Sequence, residues 1–141
     1  MRNKAPLALM ERLVMVLVFA LAAALCVQAF VLADNRSREM ENRDRALLEA
    51  QNAVETLKSC GGDYRAAAQL CRGTWEDTAV QVFYDEAWQT VEEDRAAYTL
   101  TIAPAASGHP LLGRAEVSVY ETEGGQLCTL PAAWQEVDAD A

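Results

Sequence analysis

Histidine and the helix-breaking residues are scarce in this chain of 141 residues, which contains one His, four Pro and seven Gly. It contains no Gly-rich phosphate loop, no Gly-x-Ser-x-Gly sequence and no zinc-binding helix motif. The single His109 lies between Gly108 and Pro110, with no cysteine beside it in the sequence, which is typical of a surface loop. The sequence therefore predicts no catalytic residue, no metal ligand and no cofactor site, and the chain is not expected to be an enzyme.

Basic residues are also few, because 12 Lys and Arg stand against 21 Asp and Glu. Residues 74–141 hold 13 acidic residues against Arg95 and Arg114 alone. Such a surface repels phosphate backbones, so nucleic-acid binding is not expected. The simplest interpretation of this acidity is solubility.

Three clusters of neighbouring acids could in principle bind Ca²⁺ or perform acid–base chemistry, namely Glu76-Asp77, Asp85-Glu86 and Glu92-Glu93-Asp94. Adjacent side chains on a strand point in different directions, and no calcium-loop pattern occurs. Neither activity is predicted.

One long apolar run dominates the N-terminal part of the chain. Residues 13–33 include no charge and a single amide, Gln28. As a helix they would be about 31 Å long, enough to cross a hydrocarbon core of about 30 Å. A cleaved secretory signal is the main alternative, since Ala29 and Ala33 end sequences that resemble cleavage sites. The apolar part of such a signal is usually shorter, about 7–15 residues, so a retained anchor in the lipid bilayer is favoured.

The charges around this run bear on the orientation of the chain across the membrane. Lys and Arg occur on both sides of it and do not fix the orientation by themselves. The acidic C-terminal part favours export, which places residues 1–12 in the cytoplasm as a short stub. Residues 13–33 then form the transmembrane helix, residues 34–60 a stalk and the distal half of the same helix, and residues 61–141 an acidic extracytoplasmic head domain at the cell membrane.

Helical periodicity continues beyond the membrane. Residues 34–60 contain no Gly or Pro, and Met40, Leu47 and Val54 recur every seven residues. The apolar face is strong only from residue 46 onward, where it is widened by further residues: Ala46, Ala50, Ala53, Leu57 and Cys60. The distal part of the helix is therefore expected to pack on something, and Gly61 is expected to end it in a left-handed conformation.

The rest of the chain predicts a short helix followed by four strands. Asp63 can cap a helix that Gly73 ends. Alternating apolar residues then predict strands around 80–84, 98–102 and 115–119, and a last strand over 126–130, with Pro131 at its end or at a sheet edge. We expect an α+β fold in which the long helix covers a four-stranded antiparallel sheet. Trp75, Trp88 and Trp134 are expected to be core residues.

Four cysteines allow one disulfide to be considered. Cys26 lies in the apolar run, and the spacing of Cys60, Cys71 and Cys128 matches no zinc pattern. Cys60 and Cys71 flank the reversal at Gly61 and are the candidate pair. Two buried thiols are the alternative.

The start of the chain resembles a known signature. Leu7-Ala8-Leu9-Met10-Glu11, followed by Arg12-Leu13-Val14 and the apolar run, is similar to the N-terminus of type IV pilins and of the pseudopilins of type II secretion. Residues 48–57 resemble the same region of the I-type minor pseudopilins. Two positions depart from the pattern, because Pro6 stands where those proteins have the Gly that precedes the prepilin-peptidase cut, and Leu7 replaces an aromatic residue.

The resemblance implies a non-catalytic, pilin-like subunit of a type IV pilus or a type II secretion-like machine. Such a subunit associates with other pilin-like subunits through its N-terminal helix. The resemblance assigns to Glu11 a role in this assembly, since the matching Glu is thought to neutralise the N-terminal amine of a neighbouring subunit. A membrane-anchored extracytoplasmic binding domain unrelated to pili is the alternative.

Overall fold

The computed structural model describes residues 4–136, which form an α+β fold as the sequence predicts. The helices and strands are α1 (Ala5–Ser59), α2 (Tyr64–Cys71), β1 (Thr74–Glu76), β2 (Ala79–Tyr84), a 3-10 helix (Glu93–Arg95), β3 (Tyr98–Pro104), β4 (Leu112–Glu121) and β5 (Gln126–Gln135). The chain divides into two compact units, Met1–Glu41 and Asn42–Ala141. We call the described part of the second, residues 42–136, the globular unit.

The first unit is the apolar and stalk part of α1. Within residues 4–136, α1 is the one helix that is long and apolar enough to cross a membrane. The side chains of residues 13–33 are all exposed. A buried helix of a soluble protein would pass the same test of length and composition, but it would not leave these side chains uncovered. The unit is thus compatible with a membrane anchor.

A tight reversal joins α1 to α2. Gly61 and Gly62 both have positive φ, at 61° and 84°, and the Gly62 amide donates to the Leu57 carbonyl at 3.0 Å. Asp63 then caps α2, since its Oδ1 accepts hydrogen bonds from the amides of Arg65 and Ala66. The predicted caps at both positions are confirmed. At the other end of α2, Arg72 takes the left-handed conformation in place of the expected Gly73.

The sheet has five strands rather than four, in the order β1-β2-β3-β4-β5, and every neighbouring pair is antiparallel. The additional strand, β1, pairs Trp75 with Val80 across a turn at Asp77, whose φ is 52°. It was not predicted because a three-residue strand with one apolar side chain shows almost no alternation. Strand β5 also continues through Pro131 to Gln135, so Pro131 lies within an edge strand, where its missing N–H is tolerated.

The core lies between one face of the sheet and the distal part of α1. Register places Leu100 between Val82 and Val119, and Ile102 between Val80 and Val117. The helix covers this face with side chains that are nearly inaccessible to solvent: Ala46, Ala50, Ala53, Val54 and Leu57. Each large side chain buried there contributes about 1.5–3 kcal/mol. The predicted helix-on-sheet core is confirmed, and the three tryptophans pack partly buried against it.

Leu47 departs from its predicted place in the buried stripe, because 38% of its surface is exposed. A heptad spacing drifts by about 20° per repeat around a straight helix. The face that meets the sheet therefore passes through Ala46 and Ala50, and Leu47 lies at its margin.

Candidate functional site

Glu11 lies in α1, two residues before the apolar run, and its side chain is exposed. Arg12 beside it is exposed as well. Among residues 4–136, the ion pairs are Arg38–Asp34 and Lys58–Glu55, so no described group of the chain is paired with Glu11. The carboxylate is therefore available to a cation supplied by another molecule.

Cys60 and Cys71 are brought to the same end of the globular unit by the reversal between α1 and α2. Both side chains are half-buried against the core, and both thiols are free in the structure. Burial raises the pKa of the Cys71 thiol, and the neighbouring Cys60 and Glu49 side chains raise this pKa further. The predicted disulfide remains a prediction. Cys128 lies on β5 opposite Val119, and Cys26 is exposed on the apolar part of α1.

A cleft of about 290 Å³ opens in the globular unit between α1, the end of α2 and the loop after β2. Its α1 wall consists of residues spaced by three and four, which place their side chains on one helix face. The lining residues are Glu49, Asn52, Ala53, Thr56, Leu70, Cys71, Arg72, Tyr84, Trp88 and Thr90. Polar groups of several kinds thus surround a small space walled by two aromatic rings.

The loop Asp85–Thr90 holds Trp88 against the cleft in a strained conformation. Trp88 has a φ of 58°, which is costly for a bulky residue. The carboxylate of Asp85 maintains the turn, because its Oδ1 accepts hydrogen bonds from the amides of Ala87 and Gln89, both at 2.9 Å. The indole ring stacks on Tyr98 with a centroid distance of 4.2 Å and an interplanar angle of 8°.

Tyr84 connects this aromatic group to α1. Its ring lies 5.7 Å from that of Trp88, and its hydroxyl donates to Glu49 Oε2 at 3.4 Å. Burial raises the pKa of the Tyr84 hydroxyl well above its usual value, and the charge of Glu49 raises it further. Tyr84 is therefore a neutral donor to Glu49 at physiological pH.

Comparison with known proteins identifies no relative. No family model, no curated protein and no solved structure matches the chain. Its function is therefore argued from its own residues.

Other residues considered in the sequence form no site among the residues described. His109 lies in an exposed turn where its Nδ1 accepts a hydrogen bond from the Leu111 amide at 3.3 Å, a local structural role. Residues 4–136 contain no group of three or more His, Cys, Asp or Glu side chains placed to hold a metal ion.

The cleft was not predicted from the sequence, because its lining comes from three segments separated along the chain. The signal for one wall was present, since Glu49, Asn52 and Thr56 form a polar stripe directly beside the apolar one. No signal in the sequence indicated the wall that Trp88 forms, because a tryptophan with positive φ cannot be recognised without coordinates.

Proposed function

We propose that this protein is a pilin-like, non-catalytic subunit of the minor pseudopilin type, within a type IV pilus or a type II secretion-like machine. The observation that supports this most is the course of α1. One helix from Ala5 to Ser59 is apolar and exposed over its first half, and its last turns cover an antiparallel sheet. Pilins have this layout, in which the same helix serves membrane insertion, assembly and the core of the head.

The exposed apolar surface requires a cover. Phe19 and Phe30 are each 78% exposed, and large aliphatic side chains surround them on all sides of the helix. Apolar surface of this extent is unfavourable in water, so lipid or other helices must cover it. This exposed surface supports a transmembrane anchor over residues 13–33, and the acidity of residues 74–141 favours a cytoplasmic N-terminus with the globular unit outside.

Glu11 gives the proposal its most specific residue. A carboxylate at the edge of an apolar helix costs little at the membrane interface, but it becomes expensive when the helix packs among others. A cation from a neighbouring subunit, such as its N-terminal amine or its Arg12, would offset that cost. The position of Glu11 beside the run thus fits a helix that assembles with other pilin-like subunits.

Isolation of the complex from native membranes tests this function. The full-length chain, tagged at its C-terminus, is purified in mild detergent, and its partners and intact mass are determined by mass spectrometry. We expect a mass that retains residues 13–33 and co-purification of other single-span subunits with a Glu at the start of their apolar helix. A chain that begins near Asp34, or one that carries only soluble partners, would refute the proposal, and soluble partners alone would favour the unrelated binding domain.

A further inference from the structure

The cleft beside Trp88 carries an inference that goes beyond assembly through the N-terminal helix. We infer that it receives a basic side chain, Arg or Lys, from a partner protein. The cleft combines a carboxylate with an unused acceptor, Glu49, and two aromatic rings, Tyr84 and Trp88, around a space of about 290 Å³. These are the groups with which proteins recognise ammonium and guanidinium ions.

Glu49 provides the charge. Its Oε2 accepts the hydrogen bond from Tyr84, whereas no group of residues 4–136 donates to Oε1. Glu49 is only partly exposed and forms no ion pair within that range. A carboxylate in this position keeps its strong preference for a charged donor, because screening by water and salt is weaker than at a fully exposed site.

The aromatic rings provide the walls. Trp88 is fixed by its stacking on Tyr98 and by the Asp85 turn, so little ordering entropy is lost when a ligand packs beside it. A cation against the face of Trp or Tyr gains about 0.5–2 kcal/mol from the ring quadrupole. The methylene groups of an Arg or Lys side chain also pack favourably on such rings.

Arg72 also lines the cleft and repels a cation. The balance between the charges of Arg72 and Glu49 therefore decides whether the cleft prefers a cation or an anion. Arg72 is exposed, whereas Glu49 is partly buried. The guanidinium of Arg72 is therefore screened more strongly than the carboxylate. The net charge of −9 on the whole chain adds a field that attracts cations and excludes acidic partners.

The size of the cleft favours one side chain over a larger ligand. Pockets for drug-sized molecules are typically about 300–1,000 Å³, and this cleft is just below that range. A basic side chain projecting from a partner surface fits it.

A titration of the full-length chain in detergent micelles tests the inference. The probe is the peptide acetyl-Gly-Arg-Gly-amide, and the readout is the set of three tryptophan indole N–H signals in a ¹H–¹⁵N NMR spectrum. Acetyl-Gly-citrulline-Gly-amide is the matched neutral probe, because citrulline keeps the shape of arginine and removes its charge. Glu49→Gln removes the charge in the cleft, and Glu55→Gln removes the same charge from an exposed site on the same helix.

We expect the Trp88 signal to shift and saturate with the arginine peptide, and the Trp75 and Trp134 signals to stay in place. Glu49→Gln should weaken this binding about tenfold or more, equivalent to about 1.4 kcal/mol, while Glu55→Gln should leave it unchanged. Equal shifts with the citrulline peptide, undiminished binding by Glu49→Gln, or no saturable shift at Trp88 would each overturn the inference. None of these results bears on the helix contacts of Glu11, so failure here leaves the proposed function standing.

Discussion

Leu57 has no exposed surface, although it lies two residues before the end of α1. Leu47, on the same helix, keeps 38% of its surface exposed, and Gln51 between them is exposed. The three positions share the same helix but differ in how much water they lose on folding. Their substitutions should therefore separate core packing from helix propensity.

Replacing Leu57 by Asp should destabilise the globular unit by about 3 kcal/mol or more, because it buries a charge that has no partner. Leu47→Asp should cost about 1 kcal/mol, since water can reach the new carboxylate, and Gln51→Asp should stay within about 0.5 kcal/mol of the parent. Urea unfolding of the full-length variants in micelles, followed by tryptophan fluorescence, measures the three values. Equal midpoints would contradict the helix-on-sheet core.

Titration of buried phenols and thiols should make the globular unit sensitive to alkali. Burial raises the pKa of Tyr84, Tyr98 and Cys71 above their ordinary values of 10.0 and 9.0. An acid with a raised pKa in the folded state binds its proton more tightly there than in the unfolded chain. The stabilisation that such a group contributes is complete below its pKa in the unfolded chain, and it is lost as the pH rises toward its pKa in the folded state.

The contribution of these three groups to the free energy of unfolding should thus be constant from neutral pH to about pH 9 and fall at higher pH. Tyr84→Phe should reduce the slope above about pH 10, because one of the titrating groups is gone. Urea unfolding at a series of pH values provides both curves. A constant stability from neutral pH to about pH 11, or identical slopes for parent and variant, would show that these groups are not buried as described.

At the scale of helices and strands, local signals predicted most of the fold. Gly61 ends α1 because glycine readily adopts positive φ. Asp63 begins α2 because its carboxylate accepts hydrogen bonds from the free amides of the first turn. Both residue types are evident in the sequence. The strands around Val82, Leu100 and Val119 are evident from their alternation. What the sequence could not show depends on tertiary contacts: β1 exists because β2 pairs with it, and the cleft exists because distant segments meet at Trp88.

The reversal between α1 and α2 should allow a disulfide between Cys60 and Cys71 in an oxidising compartment. Closing a loop of this length would stabilise the fold by about 3 kcal/mol in the chain-entropy model. Alkylation and mass spectrometry of protein from its native envelope decide the redox state. Detection of both thiols as freely alkylated after unfolding without reductant would exclude the bond.

Strand β4 approaches Trp134 of β5 at Gly113, where an added Cβ would collide with the indole ring. Gly113→Ala should therefore destabilise the globular unit by about 1–3 kcal/mol through overpacking. The matched control is Gly108→Ala, because nothing lies within 4 Å of a Cβ there. Combining Gly113→Ala with Trp134→Leu should cost less than the sum of the two changes, and strict additivity in thermal unfolding would argue against this contact.

At the scale of the whole molecule, charge restricts how copies can associate. Residues 74–141 combine 13 acidic residues with two arginines, so like copies repel each other through this region. In the proposed assembly, attraction between subunits would then come from α1 or from a basic partner. In the proposed assembly, a subunit anchored by residues 13–33 would meet its neighbours in the membrane, where Glu11 and Asp34 are the acidic residues that flank the apolar run.

The central claim, that α1 assembles with pilin-like subunits through Glu11, is tested most directly by cross-linking in native membranes. A photoreactive benzoylphenylalanine, incorporated in place of Leu13, labels whatever lies beside the start of the apolar run and leaves the native cysteines out of the reaction. Glu11→Ala should reduce cross-links to other pilin-like subunits several-fold, because removing one member of a desolvated ion pair costs about 3–5 kcal/mol. Glu11→Gln should fall between, and the control Glu39→Ala, an exposed acid farther along α1, should match the parent. Membrane insertion and urea unfolding should be the same in all variants. If Glu11→Ala cross-links to other pilin-like subunits as strongly as the parent, the claim is contradicted.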